Sequence, residues 1–164
     1  MSAEDATGPA LLCWDGSASS RQAIEQAAKI LGSGHPARVL FAYLPTEEAS
    51  GLASALSGID APTMGPTDAE ALLEQGTAVA RQAGFDASPQ GVVADRKTAD
   101  LIVAAAEELD SPAIVMGQRG RSAIGAALLG SVARDVIHNS AHRPVLVVAP
   151  VRAPHSGAPA RPAG

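Results

Sequence analysis

Aromatic side chains are nearly missing from this sequence: one Trp, one Tyr and two Phe, 2% of 164 residues. The core must therefore be built from Ala, Val, Leu and Ile, which suits helices packed tightly on a sheet. Few rings remain for stacking on nucleic-acid bases. Cysteine is as scarce. The single Cys13 has no partner for an internal disulfide and fits a reducing cytosol. Excess positive charge is missing too, and the formal net charge of −5 argues against broad binding to nucleic acid or an anionic membrane. No apolar run approaches the roughly 18–20 residues needed to span a bilayer. The start, Met1-Ser2-Ala3-Glu4-Asp5, is acidic where a secretory leader would be basic. A soluble, cytoplasmic chain is expected, with neither membrane nor nucleic acid among its partners.

Two nucleotide-binding signatures are also missing. There is no Walker-type Gly-x4-Gly-Lys-Ser/Thr, so any phosphate must be held without a P-loop lysine. No Gly-x-Gly-x-x-Gly follows a strand, which counts against a dinucleotide-dependent redox enzyme. Gly120-Arg121-Ser122-Ala123-Ile124-Gly125 approximates a nucleophile elbow but is one residue too long. His138 and His142 stand four apart, but Pro144 ends the helix before His142, and no carboxylate motif accompanies them. No metal site and no catalytic residue are expected.

What is present is 46% hydrophobic residue content in alternating strand-like and helix-like periods. Short apolar runs at 10–14, 39–44, 113–116 and 144–148, with a weaker one at 90–94, read as strands buried on both faces. Helical spacing is found over 23–31, 72–80, 101–109 and 131–139. Residues 45–67, rich in Ser, Gly, Pro and Thr, read as a long loop with room for a short helix. Helical crossovers between buried strands require a parallel sheet covered on both sides. The expected fold is thus α/β, a doubly wound five-stranded parallel sheet with four helices. It occupies residues 9–150, between a flexible start (1–8) and a disordered Pro/Ala-rich tail (151–164).

The most informative stretch is Gly117-Gln118-Arg119-Gly120, followed after nine residues by Gly130-Ser131. It lies between a strand and a helix. Glycines there let the backbone approach a ligand closely, and a helix start adds unpaired N–H donors and the positive end of its dipole. That combination favours an anion, above all the phosphates of a nucleotide. In open α/β sheets ligands bind beyond the carboxyl ends of strands where the winding reverses. If the first and fourth strands meet there, Asp15 faces the glycine loop across one crevice. A carboxylate in that place suits ribose hydroxyls, or a divalent cation on the phosphates. Asp15-Gly16-Ser17 also has a plain reading as a turn and N-cap, as does Gly130-Ser131.

On these residues the chain resembles the universal stress protein family, in its nucleotide-binding branch. The resemblance covers roughly residues 9–150. It rests on Leu12-Cys13-Trp14-Asp15-Gly16-Ser17, Val115-Met116-Gly117-Gln118-Arg119-Gly120, Leu129-Gly130-Ser131-Val132 and Arg143-Pro144-Val145-Leu146-Val147-Val148. The Gly-x2-Gly-x9-Gly-Ser spacing matches the ATP-binding form of the family motif without insertion. The resemblance implies a Rossmann-like sheet in the order 3-2-1-4-5, forming a regulatory module that holds ATP, with Mg2+ accompanying it, and a homodimer through the strand at 144–148. By position, Asp15 would contact the ribose, Cys13 would contribute backbone nearby, and Leu44 would offer its backbone to the adenine. Met116, Gly117, Gly120, Gly130, Ser131 and Val132 would line the phosphate cradle. The chain departs from the family pattern at Asp95-Arg96, where a Gly is usual, and at Gln118, where a small Ser is usual. Other readings are a cyclic AMP or AMP-binding module, a slow ATP hydrolase or nucleotidyl transferase, and a ligand-free dimerisation module.

Overall fold

The computed structural model describes residues 8–47, 58–120, 129–140 and 142–150. The expected flexible start and Pro/Ala-rich tail, apart from Gly8, lie outside the described residues, as does the middle of the 45–67 loop. Gly8 packs against the backbone of Leu109 and Asp110.

Among the described residues, six strands and four helices follow one another along the chain. Strand β1 (Ala10–Cys13) leads to helix α1 (Ala18–Leu31), then β2 (Pro36–Pro45), β3 (Thr63–Met64) and α2 (Pro66–Ala83). Strand β4 (Asp86–Val93), α3 (Thr98–Glu108), β5 (Ile114–Gly117), α4 (Ser131–Asn139) and β6 (Val145–Val148) complete the fold. All strand pairs are parallel, and the five long-range strands run β4-β2-β1-β5-β6. This is the order expected from the sequence, with the winding reversed between β1 and β5.

The strands divide their side chains between two faces, because successive residues of a strand point to opposite sides. Ala10, Leu12, Val39, Phe41 and Val115 face α1 and α2 in one apolar cluster. Leu11, Leu40, Ala42, Ile114 and Met116 face α3 and α4 in the other. The lone Trp14 sits in the first cluster, where its indole Nε1 donates to Leu72 O at 2.8 Å. Gly76 makes room for the ring: a Cβ there would stand 2.5 Å from Trp14 Cγ. No described helix is long and apolar enough to cross a membrane.

Three elements differ from the sequence reading. The 45–67 region is interrupted by β3, which pairs Leu44 with Thr63 and Pro45 with Met64 and gives the sheet a sixth strand. Two residues are too few to show a period. Helix α2 starts at Pro66, well before the apolar spacing resumes, and Pro is well suited to a first helical turn. Strand β4 begins at Asp86 instead of near Gln90. Its first half, Asp86-Ala87-Ser88-Pro89, has little apolar content. It is a strand because it pairs with β2 on one side and forms an edge, where Pro89 is tolerated.

Candidate functional site

A cavity of about 440 Å³ opens at the carboxyl ends of β1 and β5. Eight of the nine residues singled out from sequence line it: Cys13, Asp15, Met116, Gly117, Gly120, Gly130, Ser131 and Val132. They come from three separate stretches of chain, brought together because β1 and β5 pair through Leu11–Ile114 and Leu12–Val115.

Asp15 and the glycine loop face each other across the opening, as the sequence anticipates. A Cβ on Gly120 would lie 3.2 Å from Asp15 Oδ2, so the carboxylate borders the loop backbone directly. The other oxygen, Oδ1, accepts from the Ser17 N–H at 2.9 Å and fixes the turn into α1. Both readings of Asp15 thus hold: it shapes a turn and lines the crevice.

The helix starts around the cavity differ in how they are finished. Helix α1 is capped by Ser17, whose Oγ accepts from Ser20 N at 3.1 Å. Helix α3 has no cap of its own at Lys97, but Asp60 Oδ1 accepts from Thr98 N at 2.7 Å. Helix α4 has neither. Its N-cap is Gly130, which has no side chain, and Ser131 is the first helical residue, so the plain reading of Ser131 as N-cap is not what forms. The first-turn N–H groups of α4 therefore stand at the cavity wall with the positive end of the helix dipole behind them.

The loop after β5 is held by backbone bonds. Gln118 N donates to Val148 O at 2.9 Å, and Gly130 N donates to Gln118 O at 2.8 Å. Arg119 N donates to Ser19 Oγ at 3.4 Å. Arg119 lines the cavity, and its Nε is buried without a hydrogen-bond partner among the described residues. A buried guanidinium N–H without an acceptor is costly. The Cys13 thiol is pushed up to about 12, first by burial and then by the Asp15 carboxylate, and so stays protonated at neutral pH.

Leu44 is the exception among the expected residues. It does not line the cavity, and its N–H is taken by Pro62 O at 2.9 Å where β2 meets β3. Its neighbour two residues back, Ala42, lines the cavity instead. The backbone explains why. Tyr43 O accepts from Ala94 on the β4 side, so Leu40, Ala42 and Leu44 present their backbones to the β1 side. Leu40 O accepts from Trp14 N at 2.9 Å, the last rung between β1 and β2. Ala42 falls in the gap between that rung and β3, with its backbone edge turned to the crevice. The family resemblance points to Leu44 by position; the placement of β3 leaves Ala42 as the β2 residue with its backbone edge on the cavity.

Sequence reasoning also passed over Ser19, Asp60 and Thr98. The neighbours of Asp60 and Thr98 in the chain carry no motif. Asp60 and Thr98, 38 positions apart, meet only through the tertiary fold.

Among known structures the fold is well represented. The hypothetical protein MJ0577 is 23% identical, with 90% of this chain and 99% of that one covered and a TM-score of 0.64, a likeness of fold. A universal stress protein from Archaeoglobus fulgidus is 26% identical, with coverage of 85% and 97% and a TM-score of 0.60. A universal stress protein in complex with cAMP is also 26% identical, with coverage of 88% and 98% and a TM-score of 0.59. No curated protein matches the chain significantly. The model of the Universal stress protein family matches residues 8–149. With that match, the parallel α/β fold and the glycine loop between β5 and α4, the chain belongs to the universal stress protein family.

Proposed function

We propose that this protein is a regulatory module that binds an adenine nucleotide, ATP with its Mg2+ foremost, in the crevice between β1 and β5. The observation that carries this reading is that the start of α4, which has no side-chain cap, and the glycines and Arg119 of the loop after β5 line one cavity. Phosphates placed there meet backbone N–H groups, a helix dipole and a guanidinium. Asp15, beside Gly120, is positioned for the ribose hydroxyls, and the backbone edge of Ala42 for the base. The nucleotide acts by engaging the backbone at Gly120 and Gly130, and through it a surface read by a partner. On this reading the site binds and does not catalyse.

A second ligand, cyclic AMP, is favoured by the 26% identical universal stress protein that holds it. The same cradle accepts one phosphate or three. A homodimer through β6 belongs to the proposal as well: β6 pairs with β5 on one side, and Val145, Leu146, Val147 and Val148 are all only half-buried. An apolar edge of this kind is a ready template for a second chain.

The test is a thermal-shift titration with ATP, ADP, AMP and cyclic AMP, with and without magnesium. Ligand at about a hundred times its dissociation constant adds roughly 2.7 kcal/mol, a shift on the order of 5–10 °C for a domain of this size. Gly130→Asp places a carboxylate where phosphate would sit and should abolish the shift. A flat response of the unaltered protein to all four nucleotides removes the proposal.

A further inference from the structure

The two edges of the sheet are finished in different ways. Strand β4 pairs with β2 along its whole length and with no other described strand. Asp86 N donates to His35 O at 3.0 Å and Ala94 N to Tyr43 O at 2.7 Å. In a parallel ladder alternate residues bond to the neighbour, so Asp86, Ser88, Gln90, Val92 and Ala94 face β2. Ala87, Pro89, Gly91 and Val93 therefore turn their backbones away from the sheet.

The first two of these positions are closed to a further strand. Arg81, in the last turn of α2, donates from Nε to Ala87 O at 3.0 Å. Pro89 has no N–H to give. An incoming strand bonds to both the donor and the acceptor of an outward residue, and here each residue offers half. Gly91 follows, and a glycine weakens a strand. The other edge is the reverse: Val145-Leu146-Val147-Val148 holds neither proline nor glycine and is apolar throughout.

The difference decides how far copies of the chain can join. A molecule with one open sheet edge pairs once and stops at two copies. A molecule with two open edges joins at both and propagates without closing. We infer that Arg81 and Pro89 guard the β4 edge against the sheet edge of a second copy. Among the described strands β6 is then the one edge that accepts a strand, and assembly is limited to two copies. The guard works at the edge opposite the dimer contact proposed above. Removing it changes assembly whether the unaltered chain is a dimer or a monomer.

The experiment is light scattering from micromolar to millimolar concentration on the full chain carrying Arg81→Ala and Pro89→Val together. Arg81 also meets Glu74 at 3.7 Å, but that pair is exposed, and so is position 89. The variant should therefore keep its cooperative melt. The mean mass of the unaltered protein should level off at one or two copies. That of the variant should keep rising, to at least about twice the plateau, and fall again on dilution. Adding Val147→Pro closes the β6 edge and should cap the mass at two copies. Pro89→Val with Arg81 kept should show a weaker rise, and it carries the test if the double variant does not fold. Variants that level off with the unaltered protein overturn the inference. So does a rise that comes only with loss of the melt, or one that passes two copies in the presence of Val147→Pro.

Discussion

Ser19, in the first turn of α1, lies directly against Gly117 at the end of β5. A Cβ on Gly117 would stand 2.7 Å from the Ser19 carbonyl carbon and closer still to its hydroxyl. The first glycine of the loop is therefore a packing requirement between strand and helix, before any ligand enters. Gly117→Ala should destabilise the protein by about 1–3 kcal/mol through overpacking. For a domain of this length that lowers Tm by roughly 2–12 °C in a calorimetric scan. An unchanged Tm with lost nucleotide response would instead assign Gly117 to the ligand alone.

Arg119 should behave in the opposite way. Its Nε makes no hydrogen bond, so Arg119→Ala removes little that holds the fold together. The ligand-free Tm should stay within about 1 °C or rise slightly. ATP affinity should fall by about tenfold or more, with AMP affected less, since a charge-assisted contact to phosphate is lost. Titrations at two salt concentrations give a second readout, because the variant should show the weaker salt dependence.

Cys13 makes stability depend on pH in the alkaline range. Its thiol is raised from 9.0 to about 12 in the folded chain, by burial first and by Asp15 second. Between these values the unfolded chain has lost the proton and the folded chain keeps it, so unfolding is favoured as pH rises. The stabilisation is fully present below pH 9 and is lost progressively toward pH 12. The slope is at most about 1.4 kcal/mol per pH unit, reduced because Cys13 borders an open cavity. Cys13→Ala should flatten the curve of denaturant midpoint against pH in this window. At pH 8 the native thiol should resist alkylation until the protein is unfolded.

The β6 edge can be tested without disturbing the sheet inside the protomer. Gln118 N donates to Val148 O and Ile114 N to Pro144 O, so Val145 and Val147 turn their backbones outward. Val147→Pro removes one outward N–H and leaves the β5–β6 ladder in place. Light scattering at micromolar concentration should show a dimer for the unaltered chain and a species of 16.4 kDa for the variant. A 16.4 kDa species in both would end the dimer proposal.

The layered α/β architecture is legible in the residue pattern because it depends on local properties. Buried strands show as short apolar runs, and α4 matches its expected limits, Ser131–Asn139, because Gly130 precedes it and Pro144 follows soon after. The side of the cavity beside α4 is legible for a similar reason: its glycines stand at set intervals along one strand–loop–helix unit, and Asp15 follows soon after the first strand. Close to a strand end, chain position nearly fixes position in space.

The base side is not legible. Whether Leu44 or Ala42 opens on the crevice depends on where the two-residue β3 takes up hydrogen bonds, and nothing local to either residue records it. The meeting of Asp60 with Thr98 is likewise a product of long-range folding. By itself, the sequence determined the layers and the glycines that leave α4 open, because these follow from periodicity, turns and the absence of side chains. Tertiary structure alone decided which backbone edge faces the cavity, which helix starts are capped from a distance, and that Arg119 keeps a buried donor without an acceptor. Each of those depends on groups far apart in the chain that only packing brings within hydrogen-bond reach.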